Sequence, residues 1–291
     1  MYSFTPTDEQ QMLLDAVGRY AKTDLRPAAR EADEERRLPP ELIEKGWELG
    51  YLQASIPEAY DGFGEYSALT GVLTAESLAY GDLAGALAVL TPNLFVLPVL
   101  FAGTEEQKEA YIPAAIEAEW KPYTAALMEN HFDFDPNELE TKAIRSGEGF
   151  TLSGEKCYVP FAEQAQHLLV YADLEGKTQA FIVSSEKDGL SIDGRQAALG
   201  IHGLPLYTLS LQDVILPGDS LLGGEEGHEL DPILTSSNAA LAAMAVGVAQ
   251  AAFELLGILA DDEVLLDVDL LVGLGQAGEL HDVDRLAAGF L

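Results

Sequence analysis

Cysteine occurs once in the 291 residues, at Cys157, so the chain can form no internal disulfide and offers no thiolate cluster for a metal. Basic residues are scarce too. Sixteen Lys and Arg stand against 49 Asp and Glu, a formal net charge of -33. Such a surface repels phosphate backbones and anionic headgroups, which argues against nucleic acid and membrane surfaces as partners. The same excess suits adaptation to high salt, docking of a basic partner, or simply a soluble acidic protein, and charge alone does not choose among them.

Other signals are missing. The opening residues Met1 to Pro6 lack the basic and apolar blocks of a signal peptide, which with the lone cysteine gives the expectation of a reducing, cytoplasmic setting. His131, His167, His202, His228 and His281 are scattered without ligand spacing, so no metal site is expected. Unbroken apolar runs of bilayer length are lacking. Ala84 to Gly103 contains Thr91, Pro92, Asn93 and Pro98, and Ala239 to Ala260 contains Gln250 and Glu254. Both runs read as buried helices of a soluble bundle. Gly273 to Gly278 fits GxGxxG, but only thirteen residues follow it, too few for a dinucleotide-binding βαβ unit.

What is present divides by period. Thr5, Pro6 and Asp8 mark a helix start, and Leu13, Val17, Tyr20 and Ala21 recur at helical spacing until Pro27, which is expected to stop the element. Leu38-Pro39-Pro40 opens a second helix through Leu49, Ser67 to Tyr80 makes a third, and the run after Asp82 a fourth that breaks near Pro92. Thr104-Glu105-Glu106-Gln107 has the capping-box spacing at the start of another. Beyond Trp120 the period becomes two, over Thr151 to Val159, His167 to Ala172, Gln179 to Val183 and Tyr207 to Leu216. From Leu230 the chain is rich in Ala, Leu and Val, and Ala239 to Leu259 is expected to be a long buried helix. The fold class is therefore α+β. It comprises an N-terminal helical bundle (1–119), an antiparallel, barrel-like β-domain (120–229) and a shortened C-terminal helical segment (230–291).

Several strings, in order, resemble the acyl-CoA dehydrogenase family: Phe4-Thr5-Pro6-Thr7-Asp8-Glu9-Gln10, Ile56 to Gly64 (IPEAYDGFG), Gly103 to Lys108 (GTEEQK), Gly149 to Lys156 (GFTLSGEK), Leu211 to Pro217 (LQDVILP) and Ala245 to Gln250 (AVGVAQ). The resemblance implies FAD as cofactor, an acyl-CoA thioester as substrate, a carboxylate that removes the α-proton, an electron-transfer flavoprotein as the flavin's oxidant, and assembly into oligomers. It places flavin contacts at Leu127, Met128, Tyr158, Val159 and Pro160, and substrate contacts at Phe134 and Asn238.

The chain departs from the family pattern at those same places. Met128 and Phe134 stand where a Thr and a Ser are usual, and Pro160 stands where a Thr or Ser hydroxyl bonds the redox edge of the flavin. Ser237-Asn238 occupies the place of a Glu-Arg or Thr-Arg pair, and no catalytic carboxylate is assigned. The tail from Leu270 to Leu286 resembles the approach to the family's base, with Leu291 falling a few residues short of it. Glu129 matches a structural glutamate, and Glu254 reads as a helix-face charge. Tyr80 and Leu94 to Leu100 are core residues first and acyl-pocket lining second. Two functions remain open: an acyl-CoA dehydrogenase-like oxidoreductase, impaired or needing a partner for its base, or a non-catalytic structural, regulatory or docking subunit.

Overall fold

The computed structural model describes residues 5–261. Phe4, the 273–278 glycine string, His281 and the 270–286 tail lie outside the described residues. The helical half begins with α1 (Asp8–Tyr20), capped by a reciprocal box in which Gln10 N–H donates to Thr7 Oγ1 and Thr7 N–H donates to Gln10 Oε1. Pro27 does not stop this element. A π-helical turn over Ala21–Leu25 carries the chain directly into α2 (Arg26–Glu34), with Pro27 in its first turn. The wider turn accommodates a ring that would otherwise meet the carbonyl four residues back.

Next come α3 (Pro40–Trp47), α4 (Ala68–Gly81) capped by Ser67, α5 (Leu83–Val89) capped by Asp82, α6 (Asn93–Ala102), and α7 (Glu105–Ala115) with the expected Thr104/Gln107 box. The string IPEAYDGFG is a tight turn that needs its glycines. A Cβ on Gly62 would lie 2.0 Å from Ile56 O, and one on Gly64 2.0 Å from Ala54 O.

The sheet contains β1 (Thr124–Ala126), β2 (Lys142–Ser146), β3 (Gly149–Pro160), β4 (His167–Leu174), β5 (Lys177–Ser184), β6 (Leu190–Gln196) and β7 (Leu206–Pro217). The β-domain stands where its period predicts, with two corrections. The sheet is mixed, because β1 and β2 both lie parallel along one edge of β4 while β5 pairs antiparallel on the other. It is also open. The order β1-β4-β2-β3-β7-β6, with β5 beside β4, leaves β5 and β6 as edges and closes no barrel. Strands β1, β2 and β6 carry no period-two signal, being short or largely exposed.

Alternation along β4 and β5 builds two cores. Leu168, Val170, Ala172, Phe181 and Val183 join Phe150, Leu152, Leu209 and Val214 on one face of the sheet. Leu169, Tyr171, Ala180 and Ile182 join the helical residues Trp47, Ile56, Leu78, Phe95 and Ile112 on the other. The described residues up to Val248 form one compact unit, and those from Ala249 onward a second.

The last element is α8 (Asp231–Asp261). The expectation of a buried helix over Ala239 to Leu259 holds for Ala243 and Met244, and Gly247 approaches α4 so closely that a Cβ there would lie 2.2 Å from Glu76 O. It fails for Leu241, Val246, Phe253, Leu255 and Leu256, all exposed. Over Asp231–Leu256 the helix is long and apolar enough to cross a bilayer, with only 17% of its most apolar window buried. A run of Ala and Leu specifies a helix, but whether its apolar sides are covered depends on neighbours outside the run.

Candidate active site

The segment after β1 continues alongside β3. Cys157 N–H donates to Met128 O at 2.9 Å, which places Leu127, Met128 and Glu129 against Lys156, Cys157 and Tyr158. Between the two lies a buried ion pair, Lys156 Nζ to Glu129 Oε1 at 2.7 Å, with the ammonium also donating to Leu127 O at 3.1 Å. Glu129 accepts two backbone N–H groups besides, from Glu140 at 2.6 Å and Thr141 at 2.9 Å. Burial pushes the Glu129 carboxyl up, but the bonds from Lys156, Thr141 and Glu140 more than offset this and hold it down to about 2. Burial draws the Lys156 ammonium down to about 8 against the opposing pull of Glu129, so the pair is ionised at neutral pH. A carboxylate bonded in this way is an anchor for two strands and a poor proton acceptor.

One residue further along, β3 breaks register. The ladder with β7 shifts between Lys156, paired to Leu209, and Val159, paired to Tyr207, and Tyr158 sits in the break with φ +54°. A left-handed conformation is uncommon for a residue with a Cβ, and here it turns the Tyr158 ring outward, 44% exposed, between buried neighbours Cys157 and Val159. The Tyr158 N–H bonds to the side chain of Gln196 on β6, at 2.6 Å from Oε1. Val159 is fully buried in the second core, and Pro160 pairs with Leu206 on β7.

The structure thus brings five of the seven expected contact residues into one strip: Leu127, Met128, Tyr158, Val159 and Pro160. The other two sit apart from it in kind. Phe134 packs half-buried on the first core, its ring 5.7 Å from that of His131, and Asn238 is exposed on α8, two residues beyond Ser236, which bonds the Tyr66 hydroxyl at 3.0 Å. Tyr80 lies beneath Lys22 and Arg26, whose cationic groups are 5.3 Å and 4.9 Å from its ring centre. Phe95, Val96 and Val99 are core residues of α6. Glu254 is exposed on α8 and accepts from Gln250 one turn back, as a helix-face charge does. Sequence reasoning missed Lys156 as the partner of Glu129 and Gln196 as the partner of Tyr158. Separations of 27 and 38 residues leave no local signal for either bond.

The strip can be matched against a flavin. The outward Tyr158 ring and the exposed Met128 side chain suit a flat aromatic face. The polar edge of the ring is less well served, because Tyr158 N–H is already committed to Gln196 and Pro160 has no N–H and no hydroxyl. Tyr158 and Met128 offer stacking surface, whereas residue 160 offers no donor and the Tyr158 N–H is already engaged.

A capped helical block, a mixed sheet whose inner face joins its core, and a long helix laid on α4 define the acyl-CoA dehydrogenase fold, and the comparisons agree. Residues 7–119 match the acyl-CoA dehydrogenase N-terminal domain and residues 124–214 the middle domain. The chain is 30% identical over 261 residues to the probable acyl-CoA dehydrogenase YngJ of Bacillus subtilis, covering 87% of this chain and 68% of that protein. Butyryl-CoA dehydrogenase from Megasphaera elsdenii superposes with a TM-score of 0.75 at 28% identity, over 86% of this chain and 68% of that one. A chain from a structure described as the electron transferring flavoprotein of Acidaminococcus fermentans gives the same TM-score at 26% identity, over 86% and 68%. The protein belongs to the acyl-CoA dehydrogenase family. It spans 56% to 68% of the length of the first curated relatives it matches.

Proposed function

We propose that this chain is an acyl-CoA dehydrogenase-type oxidoreductase that, with FAD, acts on an acyl-CoA thioester and takes its proton-abstracting carboxylate from outside the strip formed by Leu127–Glu129 and Lys156–Pro160. The observation that carries this is Glu129. It is the carboxylate within the strip, and Lys156, Thr141 and Glu140 already occupy it. FAD, when bound, supplies the hydride acceptor. The chain's own part is to present Tyr158 and Met128 as a flat platform, to hold that platform rigid through the buried ion pair, and to keep water from one side of it with the sheet beneath. By the same reading an electron-transfer flavoprotein reoxidises the bound flavin, the protein works in the cytoplasm, and the exposed apolar side chains of α8 are covered by other subunits of a homo- or hetero-oligomer.

Pro160 and the committed Tyr158 N–H favour a second reading, a non-catalytic structural, regulatory or docking subunit. Titrating FAD into the purified chain and following visible absorbance under anaerobic acyl-CoA addition separates the two. The first reading expects saturable FAD binding, little bleaching with the chain alone, and faster bleaching when formate provides a free carboxylate. No FAD binding at millimolar concentration would leave the docking role. Rapid bleaching without formate would show that the chain contains its own base.

A further inference from the structure

We infer that Gln196 is a positioning residue for the flavin-facing platform, holding Tyr158 in the left-handed bulge that aims its ring outward. The inference rests on the dehydrogenase reading for what the platform carries, but the geometry of the bulge stands independently of it. Tyr158 lies where the β3/β7 ladder slips, so the strand partner that would normally accept its N–H is out of register. Its φ of +54° is the conformation of a glycine or asparagine, and without compensation a tyrosine would relax into extended strand, turning its side chain to the other face. Gln196 Oε1 supplies the acceptor at 2.6 Å.

The acceptor for the Tyr158 N–H is fixed in its turn. Gln196 is the last residue of β6, paired with Leu206, which also pairs with Pro160, so Gln196 and the bulge share a strand neighbour. The 197–205 loop that begins after Gln196 is pinned at its far end. Arg195 Nη2 donates to His202 O at 2.5 Å, and His202 N–H donates to Asp33 Oδ1 on α2 at 2.9 Å. The glutamine therefore stands on a braced base, as a residue must if it is to impose a conformation on its partner.

The test compares Gln196→Ala, which removes the acceptor, with Gln196→Glu, which keeps an acceptor at the same reach, each in the full chain. Amide hydrogen exchange at Tyr158 reads the bulge directly, and equilibrium dialysis with FAD plus the visible circular dichroism of bound flavin reads the platform. The expected result is at least tenfold faster Tyr158 exchange and roughly fivefold weaker FAD binding in Gln196→Ala, with an altered dichroism band, and recovery of exchange and dichroism in Gln196→Glu. Unchanged exchange in Gln196→Ala overturns the inference. So does faster exchange with unchanged FAD affinity and dichroism, which would show the bulge to be irrelevant to the platform. Failure of the wild-type chain to bind FAD brings down the dehydrogenase reading instead, and the exchange comparison still decides whether Gln196 holds Tyr158.

Discussion

Lys156 and Glu129, 27 residues apart in sequence, meet at 2.7 Å with almost no solvent on either side chain, and through them β3 grips the segment that leaves β1. The pair is the hidden support of the exposed strip. An ionised group so buried tolerates loss of its partner badly, because the remaining charge keeps its desolvation penalty and loses its compensation.

Replacing Lys156 with Met is accordingly expected to destabilise the chain by about 3–5 kcal/mol, measured by urea unfolding. The double variant Lys156→Met with Glu129→Leu is expected to recover part of that loss, since neither charge is then stranded. A double variant no more stable than Lys156→Met would show that the pair is held by something other than mutual compensation.

Acid provides a second test of the same contact. The Glu129 carboxyl titrates near 2 in the folded chain against about 4.5 unpaired. A lowered folded pKa means that the unfolded chain binds the proton first as pH falls. The stabilisation is therefore complete above about pH 4.5 and is lost progressively towards pH 2. Glu129→Gln should flatten that part of the stability–pH curve relative to wild type, and parallel curves would refute the assignment.

Gln107 predicts an asymmetry within one motif. Its spacing from Thr104 announces a capping box, and the box is present, with Thr104 N–H donating to Gln107 Oε1 at 3.0 Å. The same side chain also donates to Asp219 O at 2.9 Å and Leu221 O at 2.8 Å and accepts from Gly223 N–H at 3.1 Å. Thr104→Ala should cost about 1 kcal/mol, the loss of a cap. Gln107→Ala should cost at least twice that, because it leaves the buried Leu221 carbonyl and the part-buried Asp219 carbonyl and Gly223 N–H unpaired. Equal losses in thermal unfolding would mean that the tie to this segment contributes nothing.

Two glycines separate packing from propensity. Gly247→Ala puts a methyl 2.2 Å from Glu76 O and 2.9 Å from Tyr80 N, so α8 must move off α4, at a cost of about 1–3 kcal/mol. On α4 itself, Gly71 has nothing within 4 Å, and Gly71→Ala should be neutral or stabilising by up to about 1 kcal/mol. Calorimetric midpoints that shift alike for the two variants would deny the close approach.

The contrast between these residues shows what a sequence displays. Capping boxes, helix periods and the alternation of β4 and β5 are local, so Thr7, Thr104, Ser67 and the central strands could be read directly. The π turn before Pro27, the parallel setting of β1 and β2 on β4, and the uncovered side of α8 depend on distant neighbours and could not. Within the site, the positions of the strip were legible through resemblance. The contacts that hold it in place were not. Tyr158 adopts a positive φ without a glycine to announce it, and Lys156 and Gln196 find their partners only once the sheet has formed.

Pro160 offers the most direct test of the strip as a flavin surface. It sits beside the outward Tyr158, pairs with Leu206, and gives that neighbourhood neither N–H nor hydroxyl. Pro160→Thr introduces both, and Pro160→Val introduces the N–H alone with nearly the same shape, so the pair isolates the hydroxyl. If a flavin's polar edge lies against residue 160, the threonine variant should bind FAD about fivefold to tenfold more tightly than the valine variant, the worth of one added hydrogen bond. Affinities equal to wild type in both variants would place that edge elsewhere. A gain shared by both over wild type would trace the benefit to the restored backbone N–H.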